Sequence, residues 1–141
     1  MNGPNLNLLG TREPEIYGHE TLEDLERRLR QIGKELRVEL EFAQHNSEGA
    51  LIECVHSMRG RVSGALVNAG AYSHTSLALR DALAGIALPF IEVHITNIYA
   101  REPERRHSML ASAAVGVVCG FGLLGYELAL RGLAAHLVPH D

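Results

Sequence analysis

Short apolar segments alternate with amphipathic segments along the whole chain, and this alternation limits the possible folds more than any other feature. Three segments have the short apolar pattern of buried strands: residues 65–67, 89–95 and 115–119. Four segments carry apolar residues at helical steps of three and four: residues 20–37, 48–59, 75–86 and 122–138. Strands that alternate with helices predict right-handed crossovers and a parallel sheet with helices on both faces. The chain has 141 residues and no repeat or linker, so we expect a single domain over 1–141.

The first long helix and the segment after it carry the clearest local signals. Thr21 followed by Asp24 resembles a capping box, with Asp in place of the usual Glu or Gln. After this helix, Val38, Leu40 and Phe42 alternate with glutamates. This alternation predicts a strand over 38–42 that has one wet face and lies at an edge of the sheet.

Polar residues gather where the predicted strands end, which is where parallel sheets bind ligands. Asn68 begins a turn that leads to His74 at a helix start, where backbone N–H groups could hold an anion. Glu92 and His94 lie two residues apart on the next strand, so both point to one face. On an apolar strand such a pair needs partners, and a carboxylate fixes the tautomer of a neighbouring imidazole. The alternative to a ligand site is purely structural: residues 68–74 would form a polar turn that caps a helix, and His94 would be a core histidine with its hydrogen bonds satisfied.

Two further loops carry groups that could act on a ligand. Residues 2–18 are rich in Asn, Gly and Pro, which are typical of turns. Tyr17 either packs there as part of a surface loop or converges with Arg12 on one ligand. In the second case guanidinium groups would favour the phenolate, and such a tyrosine can act as a base. The arginines of residues 101–107 either lie on a solvated loop or, beside His94, bind anions and hydroxyls through planar forks.

Composition disfavours several classes of function. The formal net charge of −4 gives no basic surface for a nucleic acid. The uncharged stretch 109–126 is rich in Gly, Ala and Ser, so we predict a strand, a tight loop and a helix start there instead of a membrane span. The only lysine, Lys34, lies on a predicted solvated helix face, so imine chemistry is not expected.

Two patterns suggest sites that the rest of the sequence does not support. Residues 120–125 match G-x-G-x-x-G, but no strand and acidic residue follow, so we predict a tight turn with close helix packing. The histidines at 74, 94 and 107 lack the spacing of zinc ligands, so no metal is expected. Two cysteines in apolar stretches, with no basic and apolar leader after Met1, are typical of a cytoplasmic protein.

The sequence resembles the type II 3-dehydroquinate dehydratases over nearly the whole chain. Four motifs carry the resemblance in the family's order: NGPNLNLLGTREPEIYG at 2–18, QHNSEG at 44–49, NAGAYSHTSLALRDAL at 68–83, and IEVHITNIYARE at 91–102 followed by RRHS at 105–108. The resemblance implies a flavodoxin-like fold with a five-stranded parallel sheet in the order 2-1-3-4-5, no cofactor, and a homododecamer built as a tetramer of trimers. It also implies conversion of 3-dehydroquinate to 3-dehydroshikimate and water in the shikimate route.

The same resemblance implies roles for individual residues. Tyr17 would remove the C2 proton, Arg12 would stabilise its phenolate, and Asn5 would hold a water against the enolate. His94 would protonate the departing C1 hydroxyl, with Glu92 as its partner. The groups that would hold the substrate belong to Asn68, His74, Ile95, Thr96, Arg105 and, from a neighbouring subunit, Asp81.

Some features depart from the family pattern. Glu104 stands where the family usually has Phe, in the arginine-rich loop where Arg101 would lie on a mobile lid. Thr96 replaces the commoner Ser, a conservative change if the backbone binds the substrate. The family has a short apolar strand before the first motif, where this sequence has only Met1. That strand would be central in the flavodoxin-like order, so we expect that it is truncated here and that the natural chain begins several residues earlier.

A second hypothesis comes from a different class of protein. The same loops could belong to a non-catalytic flavodoxin-like module that binds FMN or a small anion. The combination of Arg12, Tyr17 and His94 favours the enzyme, because a binding module does not need a phenol and an imidazole from separate loops.

Overall fold

A parallel sheet of three strands lies at the centre of the computed structural model, which describes residues 1–139. In spatial order the strands are β1 (Ala65–Val67), β2 (Phe90–His94) and β3 (Gly116–Cys119). The prediction for β1 is confirmed at both ends, and those for β2 and β3 agree within one residue. All five residues of the central strand β2 are buried.

Helices flank the strands in sequence much as the apolar spacing predicts. They are α1 (Pro14–Tyr17), α2 (Leu22–Leu36), α3 (Glu48–Met58), α4 (Leu77–Gly85) and α5 (Leu124–Leu137). The capping box before α2 is confirmed, because the Thr21 hydroxyl accepts from Asp24 N at 3.2 Å and the Asp24 carboxylate accepts from Thr21 N at 2.9 Å. The four-residue helix α1 was not predicted, since it is too short to show a helical period.

The helices cover both faces of the sheet, as predicted. On one face α2 and α5 pack against Ile91 and Val93 of β2. On the other face α3 and α4 pack against Val67 of β1 and Phe90 of β2. Because side chains alternate along a strand, Glu92 and His94 point to the same face as Phe90.

Residues 38–42, which the sequence predicts to be an edge strand, do not form a strand. A ladder needs a neighbouring backbone over several residues. Within the described residues, the isolated bridges outside the three strands join Asn2 to Gln44 and Asn2 to Asn68, and neither involves residues 38–42. The sheet therefore has three strands, extended by these two bridges beyond β1.

The uncharged stretch 109–126 forms β3, a tight turn and the start of α5, as predicted. Gly120 in the turn has a φ of 97°, and a Cβ there would lie 3.2 Å from Cβ of Asn97, so other residues would be strained. A Cβ on Gly125 would lie 3.4 Å from Val118, which shows how closely α5 approaches β3. Within the described part of the chain, no helix has the length and apolar character needed to cross a bilayer.

Candidate active site

A cleft of about 140 Å³ opens at the carboxyl ends of β1 and β2. Most of the predicted site residues line this cleft: Asn5, Arg12, Tyr17, Asn68, His74, His94, Ile95, Thr96 and Arg105. Glu92 does not line it but lies beside His94 and is buried. Asp81 lies on an exposed part of α4 and outside the cleft of its own chain.

Strand β2 fixes the imidazole and the carboxylate of the site. Glu92 is 0% exposed and His94 is also buried, so neither side chain is free to move into solvent. Nε2 of His94 lies 3.3 Å from Oε1 of Glu92, within ion-pair distance but without the alignment of a hydrogen bond. The prediction that the two share a face is confirmed, and the carboxylate attracts the positive charge of a protonated ring.

His74 stacks beside His94, with their ring centroids 5.8 Å apart and their planes at 22°. Nδ1 of His74 lies 2.7 Å from the backbone carbonyl of His107, so this nitrogen must carry the proton and donate. Burial lowers the pKa of His74 from its usual range, and the nearby His94 and Arg105 lower this pKa further. The bond to the His107 carbonyl acts in the opposite direction and raises the pKa. In the neutral ring, Nε2 is an acceptor that can bind a hydroxyl of a ligand.

The phenol of the site lies at the end of α1 and is held by arginines. The Arg101 guanidinium donates to Oη of Tyr17 at 2.9 Å and lies 3.4 Å from Oγ1 of Thr96. The guanidinium carbon of Arg12 lies 5.1 Å from the centre of the Tyr17 ring, so Arg12 lies over the ring while Arg101 contacts the oxygen. Two guanidinium groups therefore contact the phenol, one at its oxygen and one over its ring.

The contact between Arg101 and Tyr17 was not predicted from the sequence, which placed Arg101 only on a loop near the site. Tyr17 and Arg101 are 84 residues apart, and no local pattern shows which arginine meets a distant phenol. The one available signal was the cluster of arginines that follows a predicted strand end.

The loop that contains Asn5 is anchored at its base. Gly3 lies so close to the turn after β1 that an added Cβ would lie 2.4 Å from the carbonyl oxygen of Ala69, so only glycine fits. Asn5 adopts a left-handed conformation with φ of 69°, and its backbone N–H donates to Oδ1 of Asn46 at 3.0 Å. Gln44 donates to the carbonyl of Gly3 at 3.1 Å. The QHNSEG motif therefore supports the first loop of the cleft.

Asn68 is held by a buried network that the sequence did not predict. Its amide nitrogen donates to Oη of Tyr126 at 2.7 Å, and its oxygen accepts from Gly70 N at 3.1 Å. Tyr126 in turn donates to Oδ1 of Asn2 at 2.7 Å. Burial raises the pKa of Tyr126 far above its ordinary value, so the phenol stays neutral and keeps its donor.

Residues considered for other chemistry do not converge in the same way. His107 contributes its backbone carbonyl, not its ring, to His74. In residues 1–139, no three side chains of His, Cys, Asp or Glu come together as a metal site requires. Lys34 is exposed on α2 and lies outside the cleft.

A parallel sheet whose carboxyl edge gathers a phenol, an imidazole–carboxylate pair and several guanidinium groups defines an α/β protein with an acid–base site. Comparisons with known proteins identify the family within this class. A family model described as dehydroquinase class II matches residues 1–134. The chain belongs to the class II dehydroquinase family.

Individual relatives agree with the family model. A 3-dehydroquinate dehydratase of Gemmatimonas aurantiaca is 63% identical over 137 residues, which cover 97% of this chain and 90% of that protein. One from Synechococcus sp. strain WH7803 is 61% identical, covering 97% of this chain and 93% of that protein. The crystal structure of type II dehydroquinase from Propionibacterium acnes superposes with a TM-score of 0.90 at 45% identity, covering 95% of this chain and 92% of that one.

Proposed function

We propose that this chain removes water from 3-dehydroquinate by an anti elimination in which Tyr17 is the base and His94 is the acid. The hydro-lyase activity, which gives 3-dehydroshikimate, follows from membership of the class II dehydroquinase family. The observation that carries the assignment of residues is the convergence of Tyr17, His94 and the arginines on one cleft.

The first step is removal of the C2 proton. This proton lies next to a ketone, so its loss sends the C–H electron pair to the ketone oxygen and forms an enolate. The Tyr17 phenolate accepts the proton, and the guanidinium groups of Arg101 and Arg12 keep the phenolate form available. Asn5, which lines the cleft, holds a water that donates to the enolate oxygen.

The second step expels the C1 hydroxyl. The enolate electrons re-form the carbonyl and make the C1–C2 double bond, while the C1–O bond breaks. Hydroxide is a poor leaving group, so His94 gives it a proton and it departs as water. Glu92 supports the charged ring before this transfer. Tyr17 then releases a proton and His94 regains one, so both groups return to their starting forms.

Binding of the substrate is assigned to groups of several segments. Nε2 of His74 accepts from a ring hydroxyl, and Arg105 donates to hydroxyls through its planar guanidinium. The backbone N–H groups of Ile95 and Thr96 bind the carboxylate of the substrate, and the remaining contacts come from Asn68 and from Asp81 of a neighbouring subunit. The exposure of Asp81 supports the last assignment, because the side chain is available to another copy of the chain.

We also propose that the chain assembles as a homododecamer, a tetramer of trimers, in the cytoplasm. Exposed apolar side chains next to the outer strand β3 support an assembly: Phe121 is 61% exposed and Leu124 is 46% exposed. Both cysteines, Cys54 and Cys119, are free thiols, which is typical of a reducing compartment.

The flavodoxin-like sheet order 2-1-3-4-5 is proposed for the full sheet. The two parallel bridges support it, because Asn2 lies between Gln44 on one side and Asn68 at the end of β1 on the other. In this order, the segment that ends at Gln44 and the segment at Asn2 take the positions of the second and first strands.

The test is a turnover assay on the purified chain. Mixed with 3-dehydroquinate, the chain should produce the ultraviolet absorbance of a conjugated enone, and His94→Gln should reduce the rate by 10²- to 10⁴-fold, roughly the contribution of a general acid. Glu104→Gln, on an exposed residue outside the cleft lining, is the matched control and should keep the rate. Full activity of His94→Gln would remove His94 from the acid role. Absence of turnover together with tight FMN binding would favour the non-catalytic module.

A further inference from the structure

We propose that Ser108 is a positioning residue that orients the Glu92 carboxylate and, through it, the acid His94. Ser108 lies just after the arginine-rich loop, and its hydroxyl contacts Oε1 of Glu92. The inference rests on the proposed role of His94 and deepens it by naming what holds the imidazole–carboxylate pair in its working geometry.

The hydrogen-bond inventory of Ser108 fixes the direction of its O–H group. A hydroxyl has one donor hydrogen and two acceptor lone pairs. Oγ of Ser108 accepts from the backbone N–H groups of Leu110 at 3.0 Å and Ala111 at 3.1 Å, which occupies both lone pairs. Its hydrogen is therefore left for Glu92, so Oε1 of Glu92 must act as an acceptor and cannot itself carry a proton.

The Glu92 carboxylate has few other supports. Its side chain is completely buried, and in the described residues Oε2 has no hydrogen-bond partner. Oε1 is the atom that lies 3.3 Å from Nε2 of His94. The bond from Ser108 thus determines which oxygen faces the imidazole and favours the negative charge on it.

The segment that carries Ser108 is itself held in place on both sides. Met109 N donates to the carbonyl of Ser73 at 2.7 Å. The Arg80 guanidinium of α4 donates to the carbonyl of Met109 at 2.8 Å and to Oγ of Ser112 at 2.6 Å. A hydroxyl on such a fixed segment can preorganise a catalytic pair, because little reorientation is needed during the reaction.

Loss of this hydroxyl has a predicted direction. Without the donor, the carboxylate attracts the proton of His94 more strongly, so His94 becomes a weaker acid and its proton is lost at higher pH. The other groups that face the pair are His74, stacked on His94, and Arg105 in the cleft, and neither is changed by the substitution. Ser108 does not line the cleft, so binding of the substrate should be nearly unaffected.

The experiment compares Ser108→Ala with Ser108→Thr and with a matched control. Ser76→Ala is that control, because Ser76 is 1% exposed and its hydroxyl caps α4 by accepting from Leu79 N at 2.9 Å. We expect Ser108→Ala to lower kcat by about ten- to a hundredfold, the usual value of a hydrogen bond to a charged group. KM should stay within about twofold, the alkaline limb of the kcat–pH profile should move to higher pH, and Ser108→Thr should restore most of kcat.

A purely structural role of Ser108 gives a different pattern. Ser76→Ala should lower the melting temperature and leave the pH profile in place, and the same pattern in Ser108→Ala would overturn the inference. If Ser108→Ala does not fold, Ser108→Cys, which retains the size but only a weak donor, replaces it with the same expectation. If Ser108→Ala leaves kcat and its pH profile unchanged while His94→Gln is inactive, only the Ser108 inference is refuted. If His94→Gln is fully active, the proposed acid role of His94 is refuted as well.

Discussion

The two sides of the cleft are built by different means. On the acid side, Glu92 and His94 belong to the central strand, are buried, and are fixed by the alternation of the sheet. On the base side, Tyr17 ends a four-residue helix in a loop, is only half-buried, and is held by Arg101 from a second loop. The proposed acid is part of the central strand, whereas the position of the proposed base depends on contacts between loops.

This difference shows that a buried carboxylate–imidazole pair and a partly exposed phenol need different kinds of structural support. A carboxyl group as deeply buried as that of Glu92 needs fixed partners, because an unpaired charge in the interior is strongly destabilising. A phenol at the mouth of a cleft keeps access to solvent and can exchange its proton after each turnover. We therefore expect substitutions on the base side to affect catalysis with little loss of stability, and substitutions near the acid side to affect both.

The largest expected effect is on the base side. Tyr17→Phe removes the oxygen that we propose accepts the C2 proton, and should lower kcat by about 10²- to 10⁴-fold. Binding of the product, measured by calorimetry, and the melting temperature should change little, because the ring keeps its contacts with Arg12 and Arg101 and loses only the part-buried bond to its hydroxyl. Tyr99→Phe, on a residue that is 57% exposed and outside the cleft lining, is the control. Turnover near that of the control would exclude Tyr17 as the base.

Arg101→Lys should give the next largest effect. Lysine keeps the charge but loses the rigid, planar guanidinium group, one nitrogen of which contacts both Tyr17 and Thr96. Hydrogen bonds to charged groups contribute about 1.5–3 kcal/mol, so kcat should fall by about ten- to a hundredfold. Arg12→Lys, which changes a group over the ring and not at the oxygen, should lower kcat less. A larger loss in Arg12→Lys would reverse the assignment of the two arginines.

Tyr126→Phe tests the framework behind the acid side. The variant leaves Oδ1 of Asn2 and the amide nitrogen of Asn68 without their buried partner. Urea unfolding should show a loss of about 1–3 kcal/mol, the usual penalty for buried polar groups left unsatisfied. Tyr72→Phe, which loses a bond to the Asn46 carbonyl in a more exposed place, should lose less. Equal losses of stability in Tyr126→Phe and Tyr72→Phe would mean that burial does not increase the contribution of the Tyr126 hydrogen bonds to stability.

The smallest effect concerns pH and His74. Its pKa is lowered in the folded state, mainly by burial, so the unfolded chain takes up the proton first as the pH falls. Stability should therefore decrease as the pH falls through about 6.5, the ordinary pKa of histidine. Urea unfolding at pH 7.5 and 5.5 gives the free energy of unfolding at each pH. The difference between the two values should be smaller for His74→Gln than for the unchanged chain. A steeper dependence in the variant would contradict the direction of the shift.

The sequence predicted the elements that local patterns define. The capping box of Thr21 and Asp24 located the start of α2, and the apolar run 65–67 located β1. In 38–42, Leu40 and Phe42 pack against the core as the alternation indicates, but Val38 is exposed and the segment does not form a strand. Alternation indicates which side chains can be buried, whereas a ladder depends on the backbone that lies alongside.

The site was predictable in its residue types and less so in its contacts. Glu92 and His94 could be paired because they lie two residues apart on one strand. Two further partners were not identified, because Arg101 reaches Tyr17 and Ser108 reaches Glu92 from distant parts of the chain. Such contacts depend on how loops meet in three dimensions, which spacing along the chain does not encode.

The bond between Asn2 and Tyr126 also bears on the order in which the protein becomes active during synthesis. The two residues are 124 positions apart, and the N-terminus leaves the ribosome first. The first loop, which carries Tyr17, therefore emerges long before α5 brings the hydroxyl that ties Asn2 to Asn68. Contacts over such separations form late compared with local helices. In a nascent chain, the loop that carries Tyr17 is thus made early, but the network of Asn2, Tyr126 and Asn68 closes only after α5 is made.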